Sequence, residues 1–184
     1  MNKPAVFVAL VLGAIIGGMA VEYWLTRNVS MPAAQQTVPT GAAAADTAFL
    51  KSVVPTQSHS MIDAAYHWSN LWFAAEKKNW PLARYFFGEA RQSMRWTILL
   101  RPVRQLPDGK SVDVKGIFTA VDMSAFAAVQ LALEDEDHAA FVTSYKSALE
   151  ACYACHTASG LSYLRPVIPT TPPSTVLSFD PAAK

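Results

Sequence analysis

Cysteine is scarce in this chain: 184 residues contain two, three positions apart, which leaves no second pair for a thiol relay. Charge of one sign is missing as well. Lysine and arginine number 15 against 14 aspartates and glutamates, so no excess draws the protein toward nucleic acid or another polyanion. No flavin fingerprint or hydrolytic triad can be built from the residue spacing, which disfavours independent enzymatic turnover and points away from an enzyme. From residue 57 onward alternating strand patterns are scarce, and no internal repeat is evident. Only 16% of the residues are charged against 52% hydrophobic, a bias explained by an apolar start and an abundance of alanine. The length allows about one domain once the terminal segments are set aside.

What is present begins with an apolar run. After Lys3, residues 5–21 carry no charge, and Glu22 is the first to interrupt them. As a signal peptide, the segment has a charged start, an apolar centre and the small residues Gly18 and Ala20 at a cleavage-like position. As an anchor it continues through Tyr23, Trp24 and Leu25, and residues 5–25 are about as long as a bilayer core requires, with an aromatic pair at the interface. The anchor is the preferred reading of residues 1–27. Either way, the rest of the chain crosses the membrane, which places it in a bacterial periplasm.

Residues 28–45 are rich in Ala, Gln, Thr and Pro and poor in large apolar side chains, so residues 28–56 read as a flexible linker. Helical periodicity dominates residues 57–165. Helix A is expected from residue 58 or 60 to 78, with Met61, Ala65, Trp68, Trp72 and Ala75 on one stripe. Asn79 can cap helix B and Pro81 suits its first turn, so that helix extends through Leu100 and stops before Pro102. Residues 102–114, with Pro-Asp-Gly, read as a loop. Helix C covers residues 123–133 with Asp122 as its cap. The acidic residues 134–137 suit the positive end of helix D, which runs to about Ser159 with Phe141, Tyr145, Leu149, Cys152 and His156 along one face. Five prolines in residues 166–184 exclude a further long helix and leave an extended tail. The expected fold is all-α, an antiparallel four-helix bundle followed by a proline-rich tail that wraps it or binds a partner.

Both cysteines fall in Cys152-Tyr153-Ala154-Cys155-His156, the C-x-x-C-H signature of covalent c-type haem attachment. On a helix, residues three and four apart share a face, so Cys152 and Cys155 can reach the two vinyl groups of one porphyrin while His156 turns to the iron. A bare C-x-x-C also serves thiol redox chemistry, but usually within a βαβ pattern that is absent here. Zinc wants four ligands where three cluster. Attachment of haem to such motifs takes place outside the bacterial cytoplasm, in agreement with the apolar start.

With helices and motif together, residues 57–165 resemble the class II c-type cytochromes, cytochrome c-prime and its six-coordinate c556-type relatives. These are four-helix bundles with C-x-x-C-H near the end of the last helix. The resemblance implies one covalent haem c and an arginine near its propionates, for which Arg165 is the nearest candidate, nine residues after His156. In the c556-type relatives a methionine of the first helix faces the iron, and Met61 matches that placement; antiparallel order also sets the start of helix A beside the end of helix D. His59, His67 and Met94 are the competing ligands. His138 lies 18 residues before His156 on the same helix, about 27 Å away, and cannot be the opposing ligand. His67 and the line Arg84, Arg91, Arg95 read as solvated faces, and the aromatics Trp68, Trp72, Tyr85 and Phe86 as core.

Three functions compete. The first is an electron carrier with redox partner proteins, tethered through the N-terminal segment. The second is a five-coordinate protein whose open haem face binds nitric oxide or carbon monoxide. The third is a fixed haem subunit of a larger membrane oxidoreductase complex.

Overall fold

A computed structural model describes residues 40–183 and is mostly helical, with one small sheet. The apolar segment at residues 5–25, and residues 28–39 of the expected linker, lie outside the described residues. The chain divides into two compact units after Ser52. Of the first, the described part, residues 40–52, lies in α1 (Thr40–Val53), helical where a linker was expected. Its composition explains the difference: four consecutive alanines, the best helix formers, follow Gly41.

The second unit opens with α2 (Gln57–Glu76), whose first turn is capped by Thr56, its side chain accepting from the amide of His59. Lys77, Lys78 and Asn79 turn the chain, Lys78 taking a left-handed φ of 56°. Asn79 then caps α3 (Trp80–Leu100), accepting from Leu82, with Pro81 in the first turn where its missing N–H costs nothing. So short a connection makes α2 and α3 an antiparallel pair. Residues 102–114, expected as a loop, contain a hairpin instead: β1 (Val103–Gln105) pairs antiparallel with β2 (Ser111–Asp113), Arg104 opposite Val112. Strands of three residues are too short to show an alternation in the sequence.

The third helical segment begins earlier than expected. Asp113, not Asp122, supplies the cap, accepting from the amide of Gly116 at the start of α4 (Val114–Val121). Glycine suits this position, since an added Cβ would meet the Asp113 carboxylate and force the capping side chain to shift. A π-helical turn, Asp122–Phe126, carries the helix into α5 (Ala127–Glu134). Asp122 is unavailable as a cap because its carboxylate is taken by Arg91 of α3, with Nη2 to Oδ2 at 2.9 Å. By length and composition Val114–Glu134 could cross a membrane, yet Phe118, Phe126, Val129, Ala132 and Leu133 are buried against neighbouring elements.

Asp137 caps α6 (His138–Ala158) through the amide of Ala140, so the acidic residues sit at a helix N-terminus as expected. The helix ends at Ser159, whose amide reaches back to the carbonyls of Cys155 and His156, and at Gly160, whose φ of 74° is the left-handed stop that glycine accepts at least cost.

One core joins these elements. Trp68 of α2 stacks on Phe126 at 4.9 Å and on Tyr145 at 5.1 Å, and Trp72, Phe141, Phe87 and Phe118 extend the cluster. The Tyr145 hydroxyl donates to the carbonyl of Trp68, so this buried polar atom is satisfied. The proline-rich tail has no helix and runs back over α2 and α3. The amide of Ser174 donates to Asn70, Asn79 donates to the carbonyl of Phe179, and the Phe179 ring lies against Phe73 and Phe86.

Candidate cofactor site

The C-terminal turns of α6 carry the two thiols and the imidazole. At about 100° per residue, Cys152, Cys155 and His156 fall within roughly 100° of one another. The same face holds Phe141, Tyr145 and Leu149, all buried, and Cys152 packs against this core. Both cysteines are free thiols. Burial pushes the Cys152 thiol up to about 12, the neighbouring Cys155 adding to the effect against a backbone hydrogen bond. Burial raises Cys155 too, opposed by a hydrogen bond from Ser159. Burial thus favours the protonated form of both sulfurs. Addition of S–H across a vinyl double bond needs both sulfurs on one face, and that they have.

His156 is half-buried, with Nδ1 2.6 Å from the carbonyl oxygen of Leu164. A carbonyl only accepts, so Nδ1 carries the hydrogen and donates it, which leaves the lone pair of Nε2 free. An imidazole in that tautomer, oriented by a carbonyl, is what a metal-ligating histidine requires. The turn after the helix makes the contact: the amide of Leu161 returns to the carbonyl of His156 at 2.8 Å, and that of Leu164 to Leu161 at 2.8 Å. Two thiols and one ligand-ready imidazole on one helix face fit a c-type haem. Among the described residues, no three of His, Cys, Asp or Glu gather as a metal site on their own.

Met61 lies in the second turn of α2, half-buried and packed against the core. It shares the side of the helix that carries Trp68 and Trp72 toward Tyr145 and Phe141 of α6. The Arg104 side chain ties the two helix ends together, Nε donating to the carbonyl of Ser159 at 2.9 Å and Nη1 to Oε1 of Gln57 at 3.2 Å. Met61 is one turn from Gln57, and His156 three residues from Ser159. The structure therefore brings Met61 to the end of the domain where the motif sits.

Arg165 is not brought to that face. Its guanidinium holds Glu150 at 3.0 and 3.2 Å and lies 4.4 Å over the ring of Tyr153, so it is drawn round the helix toward a residue nearly opposite the cysteines. The histidines of α2 stand apart as well. His59 is exposed, and His67 is half-buried rather than solvated, between Tyr66 and Phe86, its Nδ1 buried without a partner. His138 contacts Glu76 at 2.8 Å, far along α6 from the motif. Met94 is buried on α3. The arginine line borders a cleft of about 270 Å³ beside Gln130 and Leu133. Arg91 and Arg95 are committed to Asp122, and Arg84 to Glu136 and the carbonyl of Leu133, so the cleft is an ion-paired surface.

Sequence reasoning missed Arg104, Gln57 and the Leu164 carbonyl. A backbone acceptor leaves no trace in side-chain identity, and Arg104 stood in a segment read as loop. The left-handed stop at Gly160 was the available signal, since it forces the chain after the motif to fold back. Searches against protein-family models, curated proteins and solved structures find no match to this chain, and the site stands on its own geometry.

Proposed function

We propose that this protein is a monohaem c-type cytochrome that transfers electrons on the extracytoplasmic side of a bacterial membrane, tethered there by residues 5–25. In this reading α2, α3, α4–α5 and α6 form an antiparallel four-helix bundle of the class II kind, with Cys152 and Cys155 bound to the porphyrin through thioether bonds and His156 on the iron. The observation that carries it is the His156 Nδ1–H donated to Leu164, which frees Nε2 beside two thiols on the same face. Bound there, a haem supplies one-electron oxidation and reduction at its iron.

The chain's own groups orient and exclude water. Leu164 fixes the imidazole plane, Tyr145 and Leu149 wall the cysteine face in apolar surface, and Met61 offers a thioether from the facing helix. A thioether raises the potential of haem iron relative to a second histidine, which suits delivery of electrons to an oxidising partner protein. Reduced and oxidised absorption spectra of the exported protein test the reading. Sharp α and β bands on reduction, with colour retained in the protein after acid–acetone extraction, are expected; colour lost to the solvent refutes it.

A further inference from the structure

Arg104 enters the site from the hairpin. In β1 the residues on either side of it are exposed, and strand alternation turns its side chain inward, together with its partner Val112. It reaches the carbonyl of Ser159, which lies on the same face of α6 as Cys152 and Cys155, one turn beyond Cys155. Part of its charge answers the negative end of α6. Of the five N–H donors of a guanidinium, these contacts to Ser159 and Gln57 use two, which leaves three. Among the described residues Arg84, Arg91, Arg95 and Arg165 each have a carboxylate partner, and Arg101 is exposed. Arg104 is the partly buried arginine without one. A partly buried cation with free donors and no counter-ion is a ready partner for an anion.

We propose that Arg104, rather than Arg165, is the haem-side cation of this protein and that it takes a haem propionate. The inference rests on the haem reading above. Guanidinium and carboxylate match as a planar fork, and Gln57 and Ser159 hold the fork at the end of the domain shared by His156 and Met61. A positive charge fixed there disfavours the oxidised iron and raises the midpoint potential.

The test is potentiometry on the haem-loaded full chain, comparing wild type, Arg104→Gln, Arg104→Lys and Arg165→Gln. Arg104→Gln should lower the midpoint potential, Arg104→Lys should restore most of it by restoring the charge, and Arg165→Gln should leave it where wild type has it. Loss of a clamp alone would lower thermal stability in both Arg104 variants and leave the potential unmoved, and that outcome overturns the proposal. So does a potential that follows Arg165. Should Arg104→Gln fail to fold, the propionate bending band in resonance Raman decides between wild type and Arg104→Lys: a shift is expected, and an unshifted band refutes the contact. A colourless wild-type protein would remove the haem reading itself, whereas a coloured one indifferent to Arg104 removes this inference alone.

Discussion

The ring nitrogen Nδ1 of His156 donates to the main-chain oxygen of Leu164, eight residues later, across 2.6 Å. The contact makes the turn after α6 part of the site, because any change that moves residues 160–164 moves the imidazole.

Gly160→Ala is the direct probe of that coupling. An added Cβ would meet the Leu106 side chain at 3.3 Å and force a non-glycine residue into a left-handed φ of 74°. A cost of about 1–2 kcal/mol is expected, read by chemical denaturation. The same variant should raise the haem potential, because weaker donation from Nδ1 to Leu164 makes His156 a less basic ligand and so favours the reduced iron. An unchanged potential would show that the turn adjusts independently of the histidine.

Attachment should depend on both sulfurs. Cys152→Ala or Cys155→Ala is expected to leave at most one thioether bond, seen as a red-shifted α band in the pyridine haemochrome spectrum and reduced pigment yield. His156→Ala should abolish the native ligand field. Full pigment with native spectra in either cysteine variant would contradict the assignment.

Met61→Ala should remove the methionine–iron charge-transfer band at the red end of the ferric spectrum and open the distal position, whereas Met94→Ala should retain the band. A wild-type spectrum that is already high-spin would favour the gas-binding function instead.

The tail is expected to contribute to stability. Phe179 is partly buried against Phe73 and Phe86, so Phe179→Ala should cost about 1–2 kcal/mol. The core anchor Trp68 should cost roughly 3–5 kcal/mol on truncation to alanine. Thermal melts that rank these two the other way would contradict the packing described.

Fractionation tests the tether. The chain should stay with the membrane after a high-salt wash, and a version lacking residues 1–27 behind a cleavable signal should be released as a soluble red domain. A mature N-terminus at Val21 would refute the anchor.

The long helices were legible because their signals are local and repeated. Asn79 and Pro81 mark the start of α3, and Met61, Trp68, Trp72 and Ala75 of the expected stripe face the core, whereas Ala65 on its edge and Tyr85, also read as core, are exposed. The third segment was misread because an acidic residue before an apolar run looks like a cap, whereas Asp122 answers Arg91, 31 positions away. The motif carried the thiols and imidazole openly. What orients them was hidden, since Arg165 was nearer in sequence but found Glu150 and Tyr153 at closer range than the cysteine face. His67 stood beside polar residues in the sequence, yet the aromatic rings of Tyr66 and Phe86 enclose it.

The returning tail also sets an order of events. Ser174 meets Asn70 across 104 positions, and Phe179 meets Asn79 across 100. Closing such long loops costs entropy that few contacts repay, so docking of the tail comes late in folding. The cysteines leave the ribosome before the tail does, and a chain cut after Arg165 would keep every helix. Nicking there should leave a domain that still holds its pigment but opens more often, with faster amide hydrogen exchange along α2 and α3 than along α6.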